Sequence, residues 1–318
     1  MKFGTFISCF RTDWERLGAW IETLERGRWH SAWWPDHFLT PGSASKHGLP
    51  AYEGFASLSV ALGMTRKLHM GHLVLGTPYR NPALTCKMAG TLDQASKGRF
   101  TLGIGAGWFE REHEAYGWCF PSMKERQDRL QEAAELTRLL FTATEPVTYN
   151  GKHYQLDEAP LDPAGYQGRR IEILIGGTGE KRTLKTLAMF GDAMNLDGFA
   201  GAGMEFDYYK HKVSILEQHC ANVGRDPKEI RHTLNMPVVL TEDKSVIDHW
   251  LRRYGPGTVA GSRAYVLDRL HEFEEAGVDE IIIDDLETFA FLQTKDVPVA
   301  EVVASCQRME EEVIAAFD

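Results

Sequence analysis

Short apolar runs, each followed after a turn by a segment with helical spacing, recur along almost the whole chain, and such a repeat can bury its apolar faces in few ways. Residues 2–8 alternate and are rich in Phe and Ile, and Leu17, Trp20, Ile21 and Leu24 follow at helical spacing. Residues 31–35 form a bulky aromatic run suited to a strand covered on both faces, with a helix at 54–63. The pattern continues with a strand at 68–75 and a helix at 81–95, whose Pro82 sits in the first turn, where a missing amide hydrogen costs least. A strand at 99–104 leads to a long amphipathic helix at 124–141, striped by Leu130, Ala133, Leu136 and Leu140. Three further units follow, at 171–175 with 181–190, at 192–196 with 206–223, and at 231–240 with 244–254 and 262–276. The last is 280–284 with 299–317.

Eight such units, with no sheet-only region and no linker rich in Pro and Gly, predict an α/β fold: one (β/α)8 TIM barrel over residues 1–318. Residues 145–170 fall outside the repeat and are expected to be an insertion, with Asn150-Gly151 between two alternating runs marking a hairpin. The 318 residues suit a barrel of ~250 residues plus insertions. A doubly wound open sheet would want a glycine fingerprint at its first turn, and Cys9-Phe10-Arg11-Thr12 has no glycine.

The formal charge of −10 argues against a grip on nucleic-acid phosphates, which needs a surplus of Lys and Arg. The start of the chain lacks the pattern of a secretion signal, and no run approaches ~18 uninterrupted apolar residues, so a cytoplasmic protein is expected. The five cysteines have no C-x-x-C spacing and read as small buried hydrophobes, with Cys9 placed where it could line a pocket.

Barrel active sites gather at the C-terminal ends of the strands. His37 follows strand two, Gly107 and Trp108 follow strand four, Gly176, Gly177, Thr178 and Gly179 follow strand five, and residues 195–198 follow strand six. A histidine flanked by Asp36 at such an end can relay a proton or stabilise negative charge on a reduced ring; the plainer reading is a hydrogen-bonded structural imidazole. The GGTGE turn before a helix offers backbone amides and a helix dipole to an anion, with Lys181 and Arg182 adjacent, although such a turn is often only a tight turn. Metal binding is not predicted: there is no H-x-H on strand one and no H-E-x-x-H, and His69 and His72 face opposite sides of a strand. Trp33 and Trp34 read as core filler and Trp108 as a pocket residue. The acidic run Glu110, Glu112, Glu114 reads as a solvated helix start.

The stretches AWWPDHF, GHLVLGTPYRNPALTCKMAGTLDQASKGRFTLGIGAGWFEREHEAYG, ERQDRLQEA, ILIGGTGEKRTLK and DAMNLDG resemble the luciferase-like monooxygenases, specifically their oxidoreductases that use coenzyme F420 or FMN. The likeness covers the first two thirds of the chain and loosens beyond about Gly201. It implies that Asp36 and His37 contact the cofactor ring, with His37 catalytic, and that strand three carries a non-proline cis peptide, placed by alignment at His72-Leu73, that buttresses the ring. It also implies cofactor contacts from Gly107 and Trp108, and phosphate contacts from Gly176, Gly177 and Thr178. The sugar-phosphate dehydrogenases of the family carry a glutamate where Trp108 stands and a tryptophan near Thr40 or Pro41, a departure that argues against that substrate. The expectation is therefore hydride transfer to or from a small organic substrate with coenzyme F420, the alternative being an FMN-dependent monooxygenase that uses oxygen. The same resemblance implies a homodimer.

Overall fold

Eight parallel strands close on themselves in chain order in the computed structural model, which describes residues 1–41, 51–199, 203–286 and 298–317. They are β1 (Lys2–Phe6), β2 (Ser31–Trp34), β3 (His69–His72), β4 (Phe100–Gly105), β5 (Glu172–Gly176), β6 (Ala193–Asp197), β7 (Arg231–Leu240) and β8 (Glu280–Asp285). Pairing of β8 with both β7 and β1 seals the ring, so the barrel has no open edge of unpaired backbone groups. Around it lie the helices α1 (Trp14–Arg26), α2 (Gly54–Met64), α3 (Pro82–Ser96), α4 (Glu110–Tyr116), α5 (Met123–Thr142), α6 (Thr183–Phe190), α7 (Phe206–Val223), α8 (Lys244–Tyr254), α9 (Arg263–Glu275) and α10 (Val299–Glu312). The fold is a TIM barrel, as the repeat predicts.

Strand alternation divides the core in two. Outward residues such as Trp34, Met70, Leu102, Ile173, Met236 and Ile283 are buried beneath the helices. Inward residues Trp33, Leu174, Ala193 and Ile282, from four different strands, meet inside the barrel. Trp33 can cross that interior only because Gly71 has no side chain: a Cβ there would lie 2.7 Å from its ring.

The N-terminal end of the barrel is plugged by charge. Arg231 reaches Glu172 at 2.8 Å and Glu280 at 2.5 Å, and Glu280 also accepts from the Trp33 indole at 3.0 Å and from the Ser31 hydroxyl. In barrels of this kind the opposite, C-terminal end carries the active site.

Between α5 and β5, Val147–Asn150 and Gln155–Ala159 pair as an antiparallel hairpin, and Glu132 of α5 accepts from the amides of Lys152 and His153 at its turn. The loop rich in Gly, Ser and Pro after Phe38 lies, over residues 42–50, outside the described residues. Among the described residues no helix is long and apolar enough to cross a membrane.

Candidate active site

His37 stands just beyond β2, and its Nδ1 lies 3.1 Å from Oε2 of Glu112 on α4. Glu112 is fully buried and also accepts from the amides of Phe38 at 2.6 Å and Leu39 at 2.8 Å and from the Tyr79 hydroxyl at 2.8 Å. Burial alone would raise its carboxyl, but the hydrogen bond and charge of His37, with the Leu39 amide and Tyr79, hold it below the ordinary value. The expectation of a solvated acidic run is corrected here: Glu110 and Glu114 are exposed, whereas α4 turns Glu112 inward to fix the backbone and ring of the His37 loop.

Asp36 is also consumed by a structural task. Its buried carboxylate accepts two bonds from Arg80, at 2.7 and 2.9 Å, and one from the Gly76 amide at 2.9 Å. Arg80 also pairs with Glu53, which caps α2 through the Ala56 amide. A fork-to-carboxylate pair of this kind locks geometry, and here it ties the segment after β2 to the segment after β3.

The non-proline cis peptide lies at Leu73-Val74, one residue later than the expected His72-Leu73. The Leu73 amide still donates to the Trp34 carbonyl at 2.7 Å, so ladder bonding persists through Leu73 and the chain departs from it only afterwards. Leu73 joins the barrel interior, and Val74 fills space left by Gly105 and Gly176, where a Cβ would lie 2.5 and 2.7 Å from its methyls. His72 points the other way. Its ring packs 4.8 Å from that of Phe55 on α2, neither ring nitrogen has a partner, and burial pushes its pKa down to about 3. The His72 side chain is thus an outward core residue, turned from the barrel mouth.

After β4, Gly107 adopts φ +73° and its carbonyl accepts from Arg126. Trp108 is 61% exposed, with its ring centroid 5.5 Å from that of His37 in an edge-on arrangement. Phe109 and Phe10 lie 5.9 and 6.1 Å from the same imidazole. An imidazole held on one nitrogen inside an aromatic rim, one wall of which faces solvent, suits a planar ring as ligand.

After β5, Gly177 has φ +125° and its amide donates to the Asn195 carbonyl at 3.2 Å, while Thr178 is half-buried. Arg182 is paired with Asp128 of α5, so its charge is already engaged; Lys181 is exposed. Cys9 is buried, its thiol pushed up to about 12 by desolvation, and its Sγ contacts Ser57 of α2 at 3.8 Å, which places it against the helix layer and not along a pocket.

The structure therefore brings His37 and Trp108 together, places the glycines of β5 behind Val74, and separates His72 from them. Sequence reasoning missed Glu112, Tyr79 and Arg80 around the His37 loop. On the last three strands it reached Asp197, within 195–198, but missed Asn235 and Asp284. The available signal was positional and held for the aspartates alone: Asp197 ends β6 and Asp284 is the last residue but one of β8.

Residues 1–257 match the family described as luciferase-like monooxygenase. The F420-dependent glucose-6-phosphate dehydrogenase of Amycolatopsis mediterranei is 25% identical over 260 residues, 80% of this chain and 74% of that protein. A phthiodiolone/phenolphthiodiolone dimycocerosates ketoreductase of a Mycobacterium species is 32% identical over 189 residues, 58% of this chain and 47% of the relative, so the match spans about half of the ketoreductase. Among solved structures, an F420-dependent secondary alcohol dehydrogenase in complex with an F420-acetone adduct superposes with a TM-score of 0.75 at 20% identity, covering 94% of this chain and 98% of the other. The coenzyme F420 dependent tetrahydromethanopterin reductase of Methanopyrus kandleri superposes with a TM-score of 0.75 at 19% identity, covering 100% and 99%. At those identities the superpositions show the fold. With the family model spanning most of its length, the chain belongs to the luciferase-like monooxygenase family and is a flavin- or deazaflavin-dependent oxidoreductase acting on a small molecule.

Proposed function

We propose that the protein is a coenzyme F420-dependent oxidoreductase that transfers a hydride to or from a small organic substrate at the C-terminal mouth of the barrel, with His37 as its catalytic residue. The observation that carries this reading is the His37–Glu112 bond inside an aromatic rim. With Glu112 ionised, Nδ1 of His37 is the donor in that bond, which leaves Nε2 as the atom able to give or take a proton. Trp108, Gly107 and Leu73 are the residues proposed to hold the ring, with Gly176, Gly177 and Thr178 toward its phosphate. Asp36 acts in this reading through Arg80 and Gly76, which it keeps in place.

The deazaflavin, when bound, supplies hydride chemistry alone, whereas FMN would add oxygen activation. A carbonyl, imine or activated double bond that accepts hydride gains negative charge, and His37 neutralises it by stabilising the charge or delivering a proton. Two curated relatives are F420-dependent glucose-6-phosphate dehydrogenases, and two or more are ketoreductases. The presence of Trp108, where the resemblance places a glutamate in the sugar-phosphate enzymes, favours a substrate other than a sugar phosphate.

Titration of the purified protein with F420 and with FMN tests the reading. Saturable F420 binding, with hydride transfer lost in His37→Ala but binding retained, is the expected result. Tight FMN binding without F420 binding, accompanied by oxygen uptake with reduced FMN, overturns it in favour of the FMN-dependent monooxygenase. A homodimer belongs to the same proposal, and light scattering of the purified protein reads it directly.

A further inference from the structure

On β8, Glu280, Ile282 and Asp284 share one face, and Ile282 meets Trp33 and Leu174 inside the barrel, so Asp284 points inward one layer nearer the C-terminal mouth. The same alternation carries Ala193, Asn195 and Asp197 along β6, and Arg231, Thr233 and Asn235 along β7; the Asn195 amide meets the Thr233 hydroxyl at 2.9 Å across that interior. Asn235 is paired in register with Asp197 on one side and with Ile282 on the other. Three polar side chains thus converge on one side of the mouth. Neither carboxylate oxygen of Asp284, which is 1% exposed, has a partner at hydrogen-bond geometry, and neither does Oδ1 of Asn235, which is 7% exposed; the Asn235 side chain still lies close enough to favour the ionised form of both acids, and Asp197 accepts from the Phe199 amide at 2.9 Å.

Burying an unpartnered carboxyl beside a second one costs several kcal/mol unless something arrives to satisfy them, about 1–3 kcal/mol for each unmade bond and more for a charged group. Among the described residues no Lys, Arg or His forms an ion pair with Asp197 or Asp284, and the nearest interior cation, Arg231, is committed to Glu172 and Glu280 two layers below. No group of three metal-ligating side chains is present there either. Burial, followed by the charge of Asp197, raises the Asp284 carboxyl well above the ordinary range, with the Asn235 side chain opposing the rise.

We propose that Asp197, Asn235 and Asp284 form a substrate subsite for a primary ammonium group. Three acceptor side chains face the three N–H donors that such a group carries, and the missing positive charge comes with the ligand. Asp197, half-buried at the end of β6, is the least buried of the three. The subsite rests on the oxidoreductase reading above and narrows its substrate to a molecule with an aliphatic amine.

The test uses butylammonium, 1-butanol and butyrate as probes, with saturation-transfer NMR on the full chain, with and without F420. Butylammonium is expected to bind and butyrate to give no signal. Asp284→Asn, close in shape to the native residue, weakens butylammonium binding by about tenfold or more, the loss of one charge-assisted bond. Asn235→Leu serves as a second variant, and urea unfolding verifies that each is folded. Equal butylammonium binding by wild type and folded Asp284→Asn, or preference for butyrate or 1-butanol, overturns the inference. The readout needs neither cofactor nor turnover. Absence of butylammonium binding by the wild type with F420 binding intact therefore defeats this subsite alone, whereas failure of F420 binding defeats the reading beneath it.

Discussion

His37 and Glu112, 75 positions apart in the chain, are joined by a 3.1 Å bond between Nδ1 and Oε2, and the same carboxylate accepts from the two amides that follow His37. One buried acid therefore fixes both the ring and the backbone of the candidate catalytic loop. Glu112→Gln keeps the volume but replaces one acceptor oxygen with a donor, which faces either Nδ1 of His37 and the Tyr79 hydroxyl or the amides of Phe38 and Leu39. We expect kcat to fall by about 10²-fold, the scale of an ångström of misplacement, with cofactor affinity little changed. A variant that loses cofactor affinity in step with kcat contradicts a positioning role. Glu112→Ala strands the two amides and the hydroxyl and is expected to cost roughly 3 kcal/mol in urea unfolding. Because the folded carboxyl sits below its ordinary value, this contribution is present above that value and is lost as the pH falls through the folded one.

Trp108 is the exposed wall of the same rim. At 61% exposure it contributes little to the core, so Trp108→Ala should leave the unfolding temperature unchanged. If the ring stacks on it, deazaflavin affinity drops by about tenfold, equivalent to about 1.4 kcal/mol. Unchanged affinity in a fluorescence titration would remove Trp108 from the cofactor site.

The barrel was legible because its signal is local: apolar runs such as 171–175 and 280–284 declare buried strands one at a time, and closure follows from their number. His37 was legible because a strand's C-terminal end is a position that can be counted. Glu112 was not, since nothing near it in the chain distinguishes it from Glu110 and Glu114; the distinction arises when α4 lays one face against a loop 75 residues earlier. His72 failed for a related reason. Alternation says that it opposes His69, but which of the two faces the barrel depends on Phe55, in another element. The cis bond was displaced by one residue because the ladder bond from Leu73 to Trp34 is a tertiary fact.

His72 supplies a pH test. Its folded pKa of about 3 lies below the ordinary 6.5, so between those values the unfolded chain takes up a proton that the folded chain refuses. The stability it contributes is complete above about 6.5 and falls on acidification at about 1.4 kcal/mol per pH unit toward 3. His30, lowered to about 4 chiefly by burial, adds to the same slope. His72→Phe removes two unpartnered nitrogens from beside Phe55 and Phe100, so it should raise the unfolding temperature at pH 5 and flatten the slope by one proton. A slope identical to wild type would show that His72 is not held neutral.

At the other end of the barrel, Arg231 separates two acids. Burial by itself would raise Glu172, yet the bond and charge of Arg231 bring it below its ordinary value. Glu280, 1% exposed, depends on the same guanidinium. Arg231→Met leaves both acids inside the barrel without a cation, and a loss of roughly 3–5 kcal/mol is expected in urea unfolding. Changing Glu172 and Glu280 to Gln in the same chain removes the stranded charges, so most of that loss should return. A triple variant as unstable as the single one would mean that packing of the Arg231 stem, not charge, holds the plug together. Because the plug lies at the N-terminal end, away from His37, kcat per folded molecule should be unaffected throughout, which separates stability at one barrel end from chemistry at the other.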